Sequence, residues 1–292
     1  MRPAARLLND LASNPWFVVG GTAASIIGLV LYVWEKISGY AHILSITIFV
    51  LGVSVYLLGL FYSIIVRQEN DALRHMAAHL HRINHDYRNI LHSTFSGNTP
   101  CTSRKDLVKM EIEALKSATK RIESIFVSLL GGRPCTVTVK LITNQSSGRR
   151  VAKTYVRSES NCNRDDGPPF EYDLGTNQNT AFDMALKLPE PNKCSHFIGG
   201  DLTKYTGYNN QRPQWANFYK STIVVPIRFM DGNRFGQPDQ SQDLGFLCVD
   251  TLSRNWLNEG YHVELMSAFA DQMYNFLSLM RGRYTVLVEN EK

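Results

Sequence analysis

Tyr219–Phe229 reads YKSTIVVPIRF and Leu244–Thr251 reads LGFLCVDT, with the turn-rich DGNRFGQPDQSQD between them. Runs of this length, rich in Val, Ile and Thr and bounded by Gly, Pro and Asp, read as strands. We place them at Thr222–Phe229 and Leu244–Asp250. Downstream, Glu259–Met280 carries Leu265, Phe269, Met273, Phe276 and Met280 on one side, the stripe of an amphipathic helix. Upstream, Thr136–Thr143 (TVTVKLIT) and Val151–Ser158 alternate as strands around the turn NQSSGRR. Residues 159–179 are polar and carry little pattern, and a short helix is expected over Thr180–Leu188. Another helix starts at Thr102 or Ser103, with Asp106 in its first turn, where a carboxylate suits the helix dipole. Leu115, Ala118, Ile122, Ile125 and Leu129 continue it at 3/4 spacing until Gly131 and Gly132 stop it. The fold class is α+β.

The order YKSTIVVPIRF, loop, LGFLCVDT, then the helix LMSAFADQMYNFLSLM resembles GAF domains over roughly Lys105–Arg281, most clearly after Phe218. The resemblance implies a central antiparallel sheet flanked by helices, with a pocket on one sheet face for a small ligand such as a cyclic nucleotide or chromophore. The Asn-Lys-Phe-Asp run of cyclic-nucleotide GAF domains is absent. Cys194 and His196 are close in sequence, but their surroundings differ from the bilin anchor of phytochromes. The segment CSHFIGGDLTKYTGYNNQRPQW falls where such domains carry a variable pocket lid. Asp201, Tyr205, Tyr208, Trp215 and Tyr219 there offer stacking faces and one carboxylate, suited to a nucleotide or other planar small molecule. Gly199 and Gly200 would let backbone amides approach a phosphate. The alternative is that these aromatics cover the sheet edge. Asp250, ending its strand, is expected to cap the following turn.

The N-terminal part has a different character. Of the chain's 292 residues, 44% are apolar and 20% charged, yet only Arg2, Arg6, Asp10, Glu35 and Lys36 are charged within the first 66. Trp16–Trp34 (WFVVGGTAASIIGLVLYVW) is nineteen residues without a charge, flanked by tryptophans. That is about the length needed to cross a hydrocarbon core of roughly 30 Å, with the rings at the lipid–water interface. Tyr40–Val66 is a second uncharged run, separated from the first by a short turn, so a transmembrane hairpin is expected. A signal peptide fits poorly, because the first run is long, lacks a small-residue cleavage site and is followed at once by a second. Arg2 and Arg6 before the first span, and Arg67 and Arg74 after the second, place both termini in the cytoplasm. Gly20, Ala24 and Gly28 form a small-residue face, open to packing within the hairpin or between protomers. Neither span holds an acidic or basic residue at its centre, which argues against a transporter or proton pump.

Leu73, Met76, Leu80, Ile83, Tyr87 and Ile90 follow at spacings of 3, 4, 3, 4 and 3, extended upstream by Val66. This heptad seam predicts a coiled-coil-like linker helix and a homo-oligomer. His75/His79 and His81/His85 lie one helical turn apart, open to a chelating or pH-sensing reading and to that of a solvated face. His85–Leu91 (HDYRNIL) resembles the phosphoacceptor helix of some sensor kinases, but no glycine-rich ATP-binding domain accompanies it.

Five widely spaced cysteines without a CxxC speak against a disulfide framework or zinc site and suit a reducing compartment. No metal is expected. A net charge of +5 is too mild to argue for nucleic acid. GxSxG, HExxH and Walker patterns are absent, so no catalytic residue is assigned and an enzyme is not expected. The expected organisation is two transmembrane helices within 1–66 (about 16–34 and 42–66), a heptad linker over 67–100, a GAF-like sensing domain over 101–284 and a tail over 285–292. Proteins of this layout resemble effectors of bacterial anti-phage systems. The resemblance implies a non-enzymatic, multi-pass sensor/effector of the bacterial inner membrane. In it the GAF-like domain detects a ligand or a partner encoded nearby, and the hairpin disrupts the bilayer. The alternative is a membrane-tethered adaptor that binds a small ligand, or a separate kinase or cyclase, and leaves the bilayer intact.

Overall fold

The structure is a computed structural model. It describes residues 20, 23, 26–30, 32–34, 36, 42–96, 103–158, 170–187, 195–229 and 243–290. Within 42–72, the side chains of 42–49, 55, 63–66, 68–70 and 72 also lie outside the described set. The chain divides into two units, residues 1–74 and 75–292.

In the first unit, the described residues between 20 and 36 are helical, as are those from 42 onward. Tyr56 packs where a Gly20 side chain would go: a Cβ there would lie 2.0 Å from the ring. Gly28 faces open space, and Ala24 lies outside the described residues. Large apolar side chains stand exposed along both runs, Leu29, Leu51 and Leu58 among them. Much of the first expected span, and many side chains of the second, are outside the described set; among the described residues no helix is long and apolar enough to cross a membrane.

The second unit is a helix layer on one face of an antiparallel sheet. Helix α1 (His42–Phe95) contributes its C-terminal part, followed by α2 (Arg104–Leu129). Ser103 caps α2, its side chain accepting from the Asp106 N–H, and Gly131 and Gly132 end it at φ +64° and +83°. The strands are β1 (Thr136–Asn144), β2 (Arg150–Arg157), β3 (Glu171–Asp173), β4 (Phe197–Gly199), β5 (Ser221–Arg228) and β6 (Asp243–Thr251), with α3 (Thr180–Leu186) between β3 and β4. Their order in the sheet is β3-β2-β1-β6-β5-β4, every neighbour antiparallel. Helix α4 (Tyr261–Asn290) closes the unit and runs ten residues past the expected Met280.

β5 is buried at every position, which is why its sequence reads as a continuous apolar run rather than an alternation. Pro226 is tolerated there because β4 pairs only with Thr222–Val224, so no outer-strand bond is lost. At Gly245 the Lys140 carbonyl oxygen lies 2.0 Å from where a Cβ would sit, so β6 passes β1 only as glycine. The helix-side core gathers Val137, Val139, Ile223, Val225, Leu247 and Val249 from the sheet. Phe126, Phe269 and Phe276 meet them from the helices, each at 1% exposure or less and each contributing roughly 1.5–3 kcal/mol by burial.

From Met76 to Ile90 the heptad seam packs within this chain, while Leu73 stays exposed. Ile83 and Tyr87 are buried in this core, and Met76, Leu80 and Ile90 pack against it. Tyr87 stacks on Phe276 of α4. A 3/4 spacing marks any helix that buries one stripe, and here the partner is the same chain. β3 and β4, at three residues each, are too short to carry a readable period in the sequence.

Candidate ligand-binding site

The other face of the sheet is partly polar. On β1 the alternation that sends Val137 and Val139 into the helix-side core sends Thr138 and Lys140 the other way. A register shift at Val139/Lys140 helps to set this arrangement. Val139 pairs with Val156 and Lys140 with Thr154, so Tyr155 is the extra residue and its hydroxyl donates to Glu111 of α2 at 2.6 Å. Bulges of this kind re-aim side chains. Lys140 Nζ then donates to Thr154 Oγ1 at 2.9 Å and lies 4.3 Å from the centre of the Tyr172 ring and 5.9 Å from that of Phe182. On β5 and β6, Thr222 Oγ1 donates to Asp250 Oδ1 at 2.7 Å.

A small cavity of ≈ 20 Å³, room for about one water molecule, lies over this patch. Tyr208 and Tyr219 roof it with Asn210, whose amide donates to Tyr219 Oη at 2.6 Å and to Tyr208 Oη at 3.3 Å. Burial pushes the Tyr208 phenol up to about 12, and that of Tyr219 well above its ordinary value, so both hydroxyls stay neutral. The roof is tied down through Gln211. Its side chain accepts from the Asp173 N–H and the Asn179 amide, and donates to the Asp173 carboxylate, each at 2.8 Å. Lys140, Arg157 and Asp250 all line the cavity, giving two cations to one carboxylate.

Of the five lid residues singled out in the sequence, Tyr208 and Tyr219 line the cavity. Trp215 supports them from behind, edge-on to Tyr208 with ring centres 4.9 Å apart. Tyr205 sits further out, packed on Phe197. Asp201 is turned into its own loop, accepting from Thr203 N–H and Oγ1 at 3.2 and 2.6 Å. Those bonds, with Arg254 nearby, hold its carboxyl below the usual range. Gly199 and Gly200 have local reasons to be glycine: the Leu202 side chain occupies the Cβ position of the first, and Asn255 crowds that of the second. Asp250 stays within β6 and lines the cavity instead of capping a turn. His196 lies 3.9 Å from Glu259, and Cys194 is outside the described residues. Among the described residues no cluster of ligating side chains suits a metal.

Sequence reading missed Thr138, Lys140, Tyr172, Asn179 and Thr222. A signal existed for Lys140, a charged side chain alternating with Val137 and Val139 in a strand buried on both faces. A roomier hollow of ≈ 320 Å³ lies beside Arg228, Phe229 and Asp271.

No family model and no curated protein matches the sequence. Among solved structures, the chain is similar to residues 122 to 287 of a methyl-accepting chemotaxis protein, at 15% identity and a TM-score of 0.41, over 58% of this chain and 90% of that one. It is similar to the GAF domain of a phosphoenolpyruvate-protein phosphotransferase from Coxiella burnetii, at 12% identity and 0.38, over 69% and 95%. A third structure, described as the GAF domain, matches at 13% identity and 0.36, over 61% and 92%. These likenesses are distant. The second unit is α+β: helices, then a six-stranded antiparallel sheet closed by a C-terminal helix.

Proposed function

We propose that this chain is a non-enzymatic, membrane-anchored sensor whose GAF-like domain takes a small ligand beneath the Tyr208–Tyr219 roof. The supporting observation is the buried polar patch under aromatic cover. A purely structural sheet face would be apolar, and burying the Lys140 ammonium and the Thr138 hydroxyl there is costly without a polar occupant. At ≈ 20 Å³ the cavity holds about one water, so a larger ligand requires the roof to lift. Membrane anchoring is supported by the uncharged runs and by exposed Leu29, Leu51 and Leu58. The flanking arginines favour the bacterial inner membrane with both termini cytoplasmic. Helix α1 carries the second run and also buries Ile83 and Tyr87 in the sensing core, so repacking of that core acts directly on α1. In this reading the hairpin is the output, and depolarisation during anti-phage defence is the activity to test first.

Full-length protein in detergent micelles, screened by thermal shift against nucleotides, amino acids and small carboxylates, tests the ligand. A compound that stabilises the wild type should lose most of its affinity in Trp215→Ala while the fold is retained. Unchanged affinity would move the ligand elsewhere. Expression with a membrane-potential dye, with and without residues 1–66, tests the output. Depolarisation that needs the hairpin supports the effector, and its absence under activation leaves the tethered adaptor.

A further inference from the structure

We propose that the ligand of this pocket bears an anionic group, a carboxylate or a phosphate, and that the Lys140 ammonium is its anchor. This rests on the pocket reading above and specifies its chemistry.

Lys140 is 6% exposed. Its neighbours are one hydroxyl, Thr154 Oγ1, and the faces of Tyr172 and Phe182. An ammonium has three donors, and here one is used by a neutral acceptor. Among the described residues no carboxylate lies within ion-pair reach of it. Buried ammonium groups are ordinarily paired, because the loss of hydration is large and a ring face restores only part of it. Thr138 points into the same cavity at 1% exposure, and its hydroxyl has no partner among the described residues. A buried donor left over beside a buried cation is the complement of an oxyanion. The carboxylate on this face, Asp250, already accepts from Thr222. Tyr172 and Phe182 on one side and Tyr208 and Tyr219 on the other supply apolar walls for the rest of the molecule.

The test uses full-length protein with acetate, inorganic phosphate, benzoate and phenyl phosphate as probes, and neutral benzamide as the match for benzoate. At least one anion should raise the unfolding temperature of the wild type, benzamide should not, and which anion acts separates a carboxylate ligand from a phosphate one. Lys140→Met, which keeps the aliphatic stem, should weaken that anion at least tenfold, and Lys140→Arg should restore most of the response. Without ligand, Lys140→Met should unfold at the same or a higher temperature, since an unpaired buried charge has gone. A lower temperature would make Lys140 a structural residue and overturn the proposal. So would an anion response unchanged in Lys140→Met, or no response to any anion. Stabilisation by benzamide as strong as by benzoate, and unaffected in Lys140→Met, would overturn the anion while leaving the pocket standing. If no compound, neutral or charged, binds the wild type, the pocket reading fails with it.

Discussion

Tyr87 lies face to face with Phe276, ring centres 4.3 Å apart and planes inclined by 11°. This contact commits the heptad seam of α1, at Ile83 and Tyr87, to the core of the second unit. Tyr87 is 5% exposed, and its hydroxyl has no partner among the described residues.

Two substitutions at this position should therefore act in opposite directions. Tyr87→Ala removes a buried ring and should cost roughly 3–5 kcal/mol. Tyr87→Phe keeps the stack and removes a buried, unsatisfied hydroxyl, so stability should hold or rise by about 1 kcal/mol. Urea unfolding of the two variants reads both signs.

Asp243 joins two guanidinium groups, lying 3.1 Å from Arg228 Nε and 2.7 Å from Arg150 Nη2. Arg228 is almost wholly buried, and burial is the main cause lowering its pKa from the ordinary value. Its Nη2 also donates to the Ala185 carbonyl at 2.7 Å, tying β5 to α3. Asp243→Asn leaves that cation uncompensated and should destabilise by roughly 3–5 kcal/mol. Adding Arg228→Met should recover part of the loss. Equal stability of Asp243→Asn and wild type in denaturant titration would show that Arg228 is compensated by other means.

His262, 1% exposed at the start of α4, accepts from the Asn258 N–H through Nδ1 at 2.8 Å. Burial lowers its pKa from the ordinary 6.5, so the folded state favours the neutral ring. Its stabilising contribution is complete above the unfolded value and is lost as pH falls through the lower folded one. Stability measured from about pH 7 down to about pH 5 should decline, and His262→Gln, which does not titrate, should flatten that part of the profile.

Gly20 and Gly28 should differ although the sequence places them on one face. Gly20→Leu meets the Tyr56 ring and should disturb packing inside the first unit. Gly28→Leu meets nothing within 4 Å, and leucine is favourable in a membrane helix. A change of oligomer size or membrane leakage in Gly28→Leu would therefore report a contact between protomers. Cross-linking in membranes, alongside the dye assay, makes the comparison.

Much of the architecture was legible because it is written in local periods. TVTVKLIT, TIVVPIRF and LGFLCVD emerge as β1, β5 and β6 within a residue at each end, and Ser103, Asp106 and the Gly131–Gly132 pair bound α2 as capping chemistry requires. Three-residue β3 and β4 fall below the length at which a period can be read, and they exist because their neighbours offer unpaired edges. The partner of the seam was likewise undecidable from spacing, since 3/4 periodicity names a buried stripe and not what buries it; the approach of α4, with Phe276 over Tyr87, decided that. The site followed the same division. Tyr208 and Tyr219 could be singled out by residue type within one loop. Thr138 and Lys140 come from β1, Asp250 from β6 and Thr222 from β5, and they meet only because the β1-β6-β5 order puts these strands side by side under one cover. Local sequence determines which way a strand or helix turns its apolar side, whereas the neighbours that cover the other side are set by long-range packing.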